Sequence, residues 1–211
     1  MKKIILTILF VVFASAGFSQ ILTDIQLPKP NTVGGKPLME ALKDRQTRRD
    51  FSAKELTNQQ LSDLLWAAFG INRTDGKRTA PSAVNWQETI IYVCLNSGVY
   101  IYDAKNNLLK AISETDSRSK MGIQTFVGDA PVVLAFVCDY SQMGIMASKE
   151  EKEFYGAVDV GYISQNVYLY CSSENLATVV LGYINNENIT KTLNLKENQK
   201  ITLTQCVGYP K

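Results

Sequence analysis

Three short stretches of the chain carry side chains suited to chemistry. Arg45, Thr47 and Arg49 are spaced i, i+2, i+4. In an extended segment all three project to one side, and in a helix Arg45 and Arg49 still share a face. Two guanidiniums and a hydroxyl suit a phosphate, offering a bidentate fork, a second charge and a neutral donor. Flanked by Asp44 and Asp50, the same residues also fit a solvated basic face. The second stretch holds Pro81, Ser82, Asn85 and Gln87. Hydroxyl and amide groups both donate and accept, which suits a flat heterocycle edged with carbonyls and ring nitrogens. An ordinary Asx or Ser turn uses the same residues. The third stretch ends in Leu181-Gly182. A strand end followed by glycine lets a ligand approach the backbone, or simply closes a strand at a turn.

What is missing narrows the chemistry further. The 211 residues include no histidine. That excludes Ser-His-Asp and Cys-His catalysis, HExxH zinc sites and a histidine proton shuttle. An enzyme built from this chain borrows its reactive group from a cofactor. The formal net charge is +2, so electrostatics make no case for nucleic acid. Of the four cysteines, Cys94 and Cys138 sit in apolar, strand-like runs, Cys171 in an expected helix and Cys206 in an expected last strand. None forms a CxxC pair, so they read as small buried hydrophobes rather than a disulfide framework, and no metal site is expected.

The elements that must position these groups follow from periodicity and caps. Residues 37–43 read as a short helix with Pro37 at its start. Thr57 followed by Gln60 is a capping-box signature; Leu61, Leu64, Leu65 and Ala68 then share one helix face, and Gly70 stops it. Residues 89–95, 99–102, 108–112, 131–138, 177–181 and 200–207 read as strands or short extended elements. Residues 154–173 are long enough for a helix and mix apolar and small residues all round, which suits a central position. Strands and helices intermingle without βαβ repetition, which favours an α+β domain. The length fits one large domain.

The N-terminus reads as an address. Met1, Lys2 and Lys3 precede an apolar run from Ile4 to Phe13, and small residues follow. That is the order of a secretory signal peptide, here residues 1–19, and the run is too short to anchor the mature chain in a bilayer. Residues 20–36, with prolines and Gly34-Gly35, read as an extended arm before a domain at 37–211. The expected location is periplasmic or secreted, in a bacterium.

Taken in order, the three stretches resemble the nitroreductase-like flavoprotein superfamily. Arg-x-Thr-x-Arg-x-Phe at 45–51 resembles its flavin-phosphate motif, and Pro-Ser-x-x-Asn-x-Gln at 81–87 its flavin-ring motif. The run from Tyr162 to Leu169, with Val180-Leu181-Gly182, resembles its central helix and the strand behind the flavin. Gly128-Asp129-Ala130-Pro131 before an apolar run is also typical. Gly98-Val99-Tyr100-Ile101-Tyr102-Asp103 and Leu108-Leu109 resemble the branch containing the azoline-oxidising (SagB-type) dehydrogenases.

The resemblance implies a nitroreductase-like α+β fold, with a central, mostly antiparallel sheet flanked by helices. It implies FMN at a homodimer interface and hydride or electron transfer to or from a small organic substrate, with NAD(P)H as the candidate donor. By position, Arg45, Thr47 and Arg49 would hold the phosphate. Pro81, Ser82, Asn85 and Gln87 would line the ribityl chain and ring, and Leu181 and Gly182 would face the ring. Lys211 or Arg48 would stand in for basic residues that many members place after the last strand. Asn175 stands where the family often has glycine, and asparagine tolerates the left-handed turn needed there. A non-catalytic flavin-binding or partner protein on the same fold is the alternative function.

Overall fold

The computed structural model of the protein describes residues 22–211; the expected signal peptide, residues 1–19, lies outside them. Seven strands form one sheet: β1 (Ile25–Gln26), β2 (Thr89–Leu95), β3 (Gly98–Asp103), β4 (Leu108–Ser113), β5 (Val132–Asp139), β6 (Ala177–Leu181) and β7 (Gln199–Gly208). The order across the sheet is β1-β4-β3-β2-β5-β7-β6, and neighbouring strands pair antiparallel throughout.

β5 shows why its sequence is a continuous apolar run. Successive side chains point to opposite faces, and both faces are covered. Leu134 and Phe136 join Leu64, Leu65, Val160, Ile163 and Val167 on one side. Val133, Ala135 and Val137 join Val179, Ile189, Ile201 and Cys206 on the other. The first side is roofed by α2 (Asn58–Phe69) and α3 (Lys149–Ser173), the second by α4 (Asn186–Thr192) and short 3₁₀ turns. A further short helix, α1 (Leu38–Asp44), packs on α3, where Ser172 Oγ donates to the Ala41 carbonyl. This is the expected α+β architecture, a seven-stranded antiparallel sheet flanked by helices.

The cap of α2 is as the sequence specifies: Thr57 accepts from the Gln60 amide, and the Gln60 side chain accepts from the Thr57 amide. α3 corrects an expectation. It begins at Lys149, five residues before the expected start at Phe154, because Ser148 and Glu151 form a second capping box. That first turn is polar, so apolar periodicity does not reveal it, whereas the cap and two acidic residues at the N-terminus stabilise it. α4 and the two-residue β1 are additions too short for periodicity to show. After α3 the chain turns through Asn175 at φ 56°, the left-handed conformation expected there. All four cysteines are free and buried.

Candidate functional site

Residues 45–50 are extended between α1 and Phe51, which bridges to Pro210. The Arg48 amide donates to the Thr178 carbonyl at 3.0 Å, tying this segment to β6. One residue on α3 organises the junction. The Tyr168 hydroxyl is 3.0 Å from Thr47 Oγ1 and accepts from the Val180 amide at 3.1 Å. The Arg45 guanidinium lies 5.3 Å from the Tyr168 ring centroid. Leu181 is buried at the end of β6, and Gly182 is exposed just beyond it. The first and third stretches are therefore adjacent, with Tyr168 between them. Tyr168 is a site residue that the sequence reading missed; its one signal was a phenol in a buried helix, whose hydroxyl must find a partner.

Charge at this junction is open. Asp44, one of the two acids flanking the basic run, is held by Lys36 at 3.0 Å. Among the described residues no ion pair involves Arg45, Arg48 or Arg49. Thr47 and Arg49 are exposed and Arg45 is half-buried. Two unpaired guanidiniums and a fixed hydroxyl can take an anion. Lys211 instead lines a cavity of about 350 Å³ with Phe51, Arg118 and Asp129. Arg48 lines a separate cavity with Lys36, Asn175 and Thr178.

The second stretch is held in an unusual backbone. A 3₁₀ turn spans Ala83–Asn85, and Val84, Asn85 and Gln87 have φ of 50°, 58° and 52°. Left-handed backbone at a β-branched, exposed valine is strained and persists only where neighbours over-determine it. Ser82 Oγ accepts from the Gln87 amide at 3.0 Å, and Asp159 Oδ2 of α3 accepts from the Ala83 amide at 2.8 Å. The Gln87 side chain donates to Asn85 Oδ1 and to the Gly76 carbonyl, and accepts from Arg78 Nε at 2.7 Å. Pro81 and Asn85 are exposed.

Beneath this turn lies a buried carboxyl pair. Glu88 is 1% exposed and Asp159 3%. Burial pushes the Glu88 carboxyl up to about 7, and the neighbouring Asp159 charge adds to it. Burial also raises Asp159, opposed by its hydrogen bonds from the Ala83 amide and from Glu88. Like charges this close cannot both ionise cheaply, so the pair holds a proton near neutrality. Thr89 Oγ1 donates to Glu88 Oε1 at 3.3 Å, and among the described residues nothing donates to Oε2.

The two ends of the candidate site are anchored at different points of α3. The Ala83 turn is anchored at Asp159 and the Thr47 segment at Tyr168, nine residues apart on α3. At helical rise and twist that separates the anchors by about 13 Å and about half a turn around the axis. The face of α3 that carries Tyr168 continues as an exposed stripe of Phe154, Ala157, Gly161, Tyr162 and Gln165. Among the described residues no cluster of His, Cys, Asp and Glu could hold a metal ion, and no helix is long and apolar enough to cross a membrane.

Comparison with known proteins locates the chain. The sequence profile of the Nitroreductase family matches residues 42–209. A protein of Methanocaldococcus jannaschii, provisionally named a nitroreductase, is 29% identical over 185 residues, covering 82% of this chain and 91% of that one. A crystal structure from Ralstonia eutropha JMP134, also provisionally named a nitroreductase, superposes with a TM-score of 0.86 at 38% identity, covering 90% of each chain. The NADPH-flavin oxidoreductase of Vibrio harveyi is 28% identical over 110 residues, covering 47% of this chain and 46% of its own length.

Proposed function

The chain belongs to the nitroreductase family and is an oxidoreductase that works through a flavin; from that premise we propose that the flavin is FMN, bound between two copies of this chain. The observation that carries the FMN reading is the open donor set of Arg45, Thr47 and Arg49. A riboflavin without phosphate gives these charges nothing to hold, whereas a phosphate monoester matches them in charge and donor geometry. The bound flavin supplies hydride or electron transfer at its ring. The protein's part is to bind and orient it: guanidiniums and the Thr47 hydroxyl at the phosphate, the amides of Asn85 and Gln87 and the Ser82 turn at the ring edge, and the backbone at Leu181 and Gly182 beside it.

The exposed stripe of α3 is what favours a second copy in this reading. Gly161 sits in the middle of that stripe, and a methyl group there would meet nothing within 4 Å. Glycine inside a helix costs about 1 kcal/mol relative to alanine. Nothing in the protomer requires it, whereas a backbone from another copy approaching closely would. Leu38, Met39 and Leu42 expose further apolar surface on the neighbouring α1.

Three finer proposals rest on the sequence. NAD(P)H is the proposed electron donor. Gly98–Asp103 and the following leucines support the opposite direction, that of the azoline-oxidising branch, in which a small substrate takes the place of NAD(P)H as donor and is itself dehydrogenated. Residues 1–19 support export, which N-terminal sequencing of the mature protein would test. The FMN reading is tested by fluorescence titration with FMN and riboflavin. Much tighter binding of FMN, lost in Arg45→Ala and Arg49→Ala, is the expected result. Equal affinity for the two flavins would reject a phosphate site at these residues.

A further inference from the structure

Arg78 lies half-buried at the foot of the Ala83–Asn85 turn and forms no ion pair among the described residues. It is fixed from three sides. Its guanidinium stacks 4.4 Å from the Phe69 ring centroid, Nη1 donates to the Phe69 carbonyl at 2.8 Å, and Nε donates to Gln87 Oε1 at 2.7 Å. A guanidinium has five donors and no acceptor. Gln87 must therefore turn its oxygen toward Arg78 and its NH₂ away.

The opposite end of the same amide is equally constrained. Gln87 Nε2 donates to the Gly76 carbonyl at 3.2 Å and to Asn85 Oδ1 at 3.1 Å. A carbonyl only accepts, so a flipped Gln87 would face a donor with a donor and an acceptor with an acceptor. Leaving such groups unmatched costs more than their pairing contributes. With Oδ1 of Asn85 turned toward Gln87, the NH₂ is the end of that exposed side chain that faces away, and it makes no hydrogen bond among the described residues.

We propose that Arg78 is a positioning residue that sets the polarity of the Gln87–Asn85 amide pair, so that Asn85 turns its NH₂ donor rather than its oxygen outward to the ligand. Resting on the flavin reading above, this makes the Asn85 edge selective for a ring carbonyl or an unprotonated ring nitrogen over a ring N–H. Arg78 acts through Gln87, and its own orientation is set by the C-terminal end of α2.

The test is a mutant cycle on FMN binding, paired with amide spectra of the flavin-free protein. Arg78→Met removes the donor and keeps the stem. It is expected to raise the FMN Kd about tenfold in the wild-type background, yet less than about twofold when Asn85 is already Ala. Asn85→Asp, isosteric but unable to donate, is expected to raise Kd at least about tenfold. Equal losses from Arg78→Met in both backgrounds would overturn the proposal, because Arg78 would then be acting only on the fold. In the flavin-free wild type, the ¹⁵N-labelled Gln87 side-chain NH₂ should be protected from exchange and that of Asn85 unprotected. The reverse pattern would overturn the polarity even if Arg78→Met did not fold. Protection as expected in a protein that takes up no FMN would reject the flavin reading and leave the amide polarity standing.

Discussion

The hydroxyl of Tyr168 lies 3.0 Å from that of Thr47 while accepting the Val180 amide proton at 3.1 Å. The arrangement that satisfies all three groups points the phenol proton at Thr47 Oγ1, leaving the Thr47 proton free to donate outward. A residue in the middle of α3 thus sets the direction of a hydroxyl that stands between two unpaired guanidiniums. It also ties the segment before Phe51 to the end of β6, so that two stretches far apart in sequence act as one surface.

Replacing Tyr168 with Phe removes that link while keeping the buried ring. Loss of a buried hydrogen bond and of the Val180 partner should cost about 1–2 kcal/mol. Thermal unfolding should shift down by roughly 2–8 °C for a chain of this size. FMN binding, followed by fluorescence quenching, should weaken several-fold as Thr47 loses its fixed direction.

Arg45→Ala and Arg49→Ala should each weaken FMN binding by tenfold or more, since a charge-assisted hydrogen bond is worth roughly 1.5–3 kcal/mol. Riboflavin, which has no phosphate, should bind all three proteins alike. Raising salt should weaken FMN binding to the wild type more than to either variant.

Glu88 makes stability depend on pH. Its folded-state value, about 7, lies above the ordinary carboxyl value, so folding favours the protonated form. The stability it contributes is complete below the unfolded-state pKa near 4.5 and is lost as pH rises through about 7, in total about 3 kcal/mol. The raised Asp159 carboxyl acts in the same sense. Chemical denaturation of the wild type should show stability falling between about pH 4.5 and 7, and Glu88→Gln should flatten that slope. An unchanged slope in the variant would exclude Glu88 as its source.

Gly161→Leu tests the second copy. The site has open space within the protomer, and leucine favours helix over glycine, so the fold itself should be unharmed. The variant should sediment as a monomer and lose flavin, with an unchanged far-ultraviolet circular dichroism spectrum. A Gly161→Leu protein that stays dimeric would place the interface elsewhere.

The fold was largely legible because its signals were local. β2 and β6 coincide with the expected residues 89–95 and 177–181, both short apolar runs ended by turn residues. Thr57 and Gln60 announced α2 through a cap. The first turn of α3 was hidden because Lys149–Glu153 is wholly charged, and only the Ser148–Glu151 cap marks it. The site was legible as residue types in order and illegible as geometry. Periodicity says nothing of Tyr168 reaching Thr47, of Asp159 holding Ala83, or of Arg78 turning Gln87. These are contacts between elements 9 to 121 residues apart in the chain. The left-handed turn at Val84 ran against local propensity, as strained segments at functional sites often do.

The most direct measurement is an anaerobic absorbance titration of the purified protein, saturated with FMN and freed of excess, with NAD(P)H. A bound flavin spectrum that bleaches on reduction and returns when an acceptor is added is the expected result. A protein that retains no FMN, or a bound flavin that neither NAD(P)H nor dithionite can reduce, would contradict it.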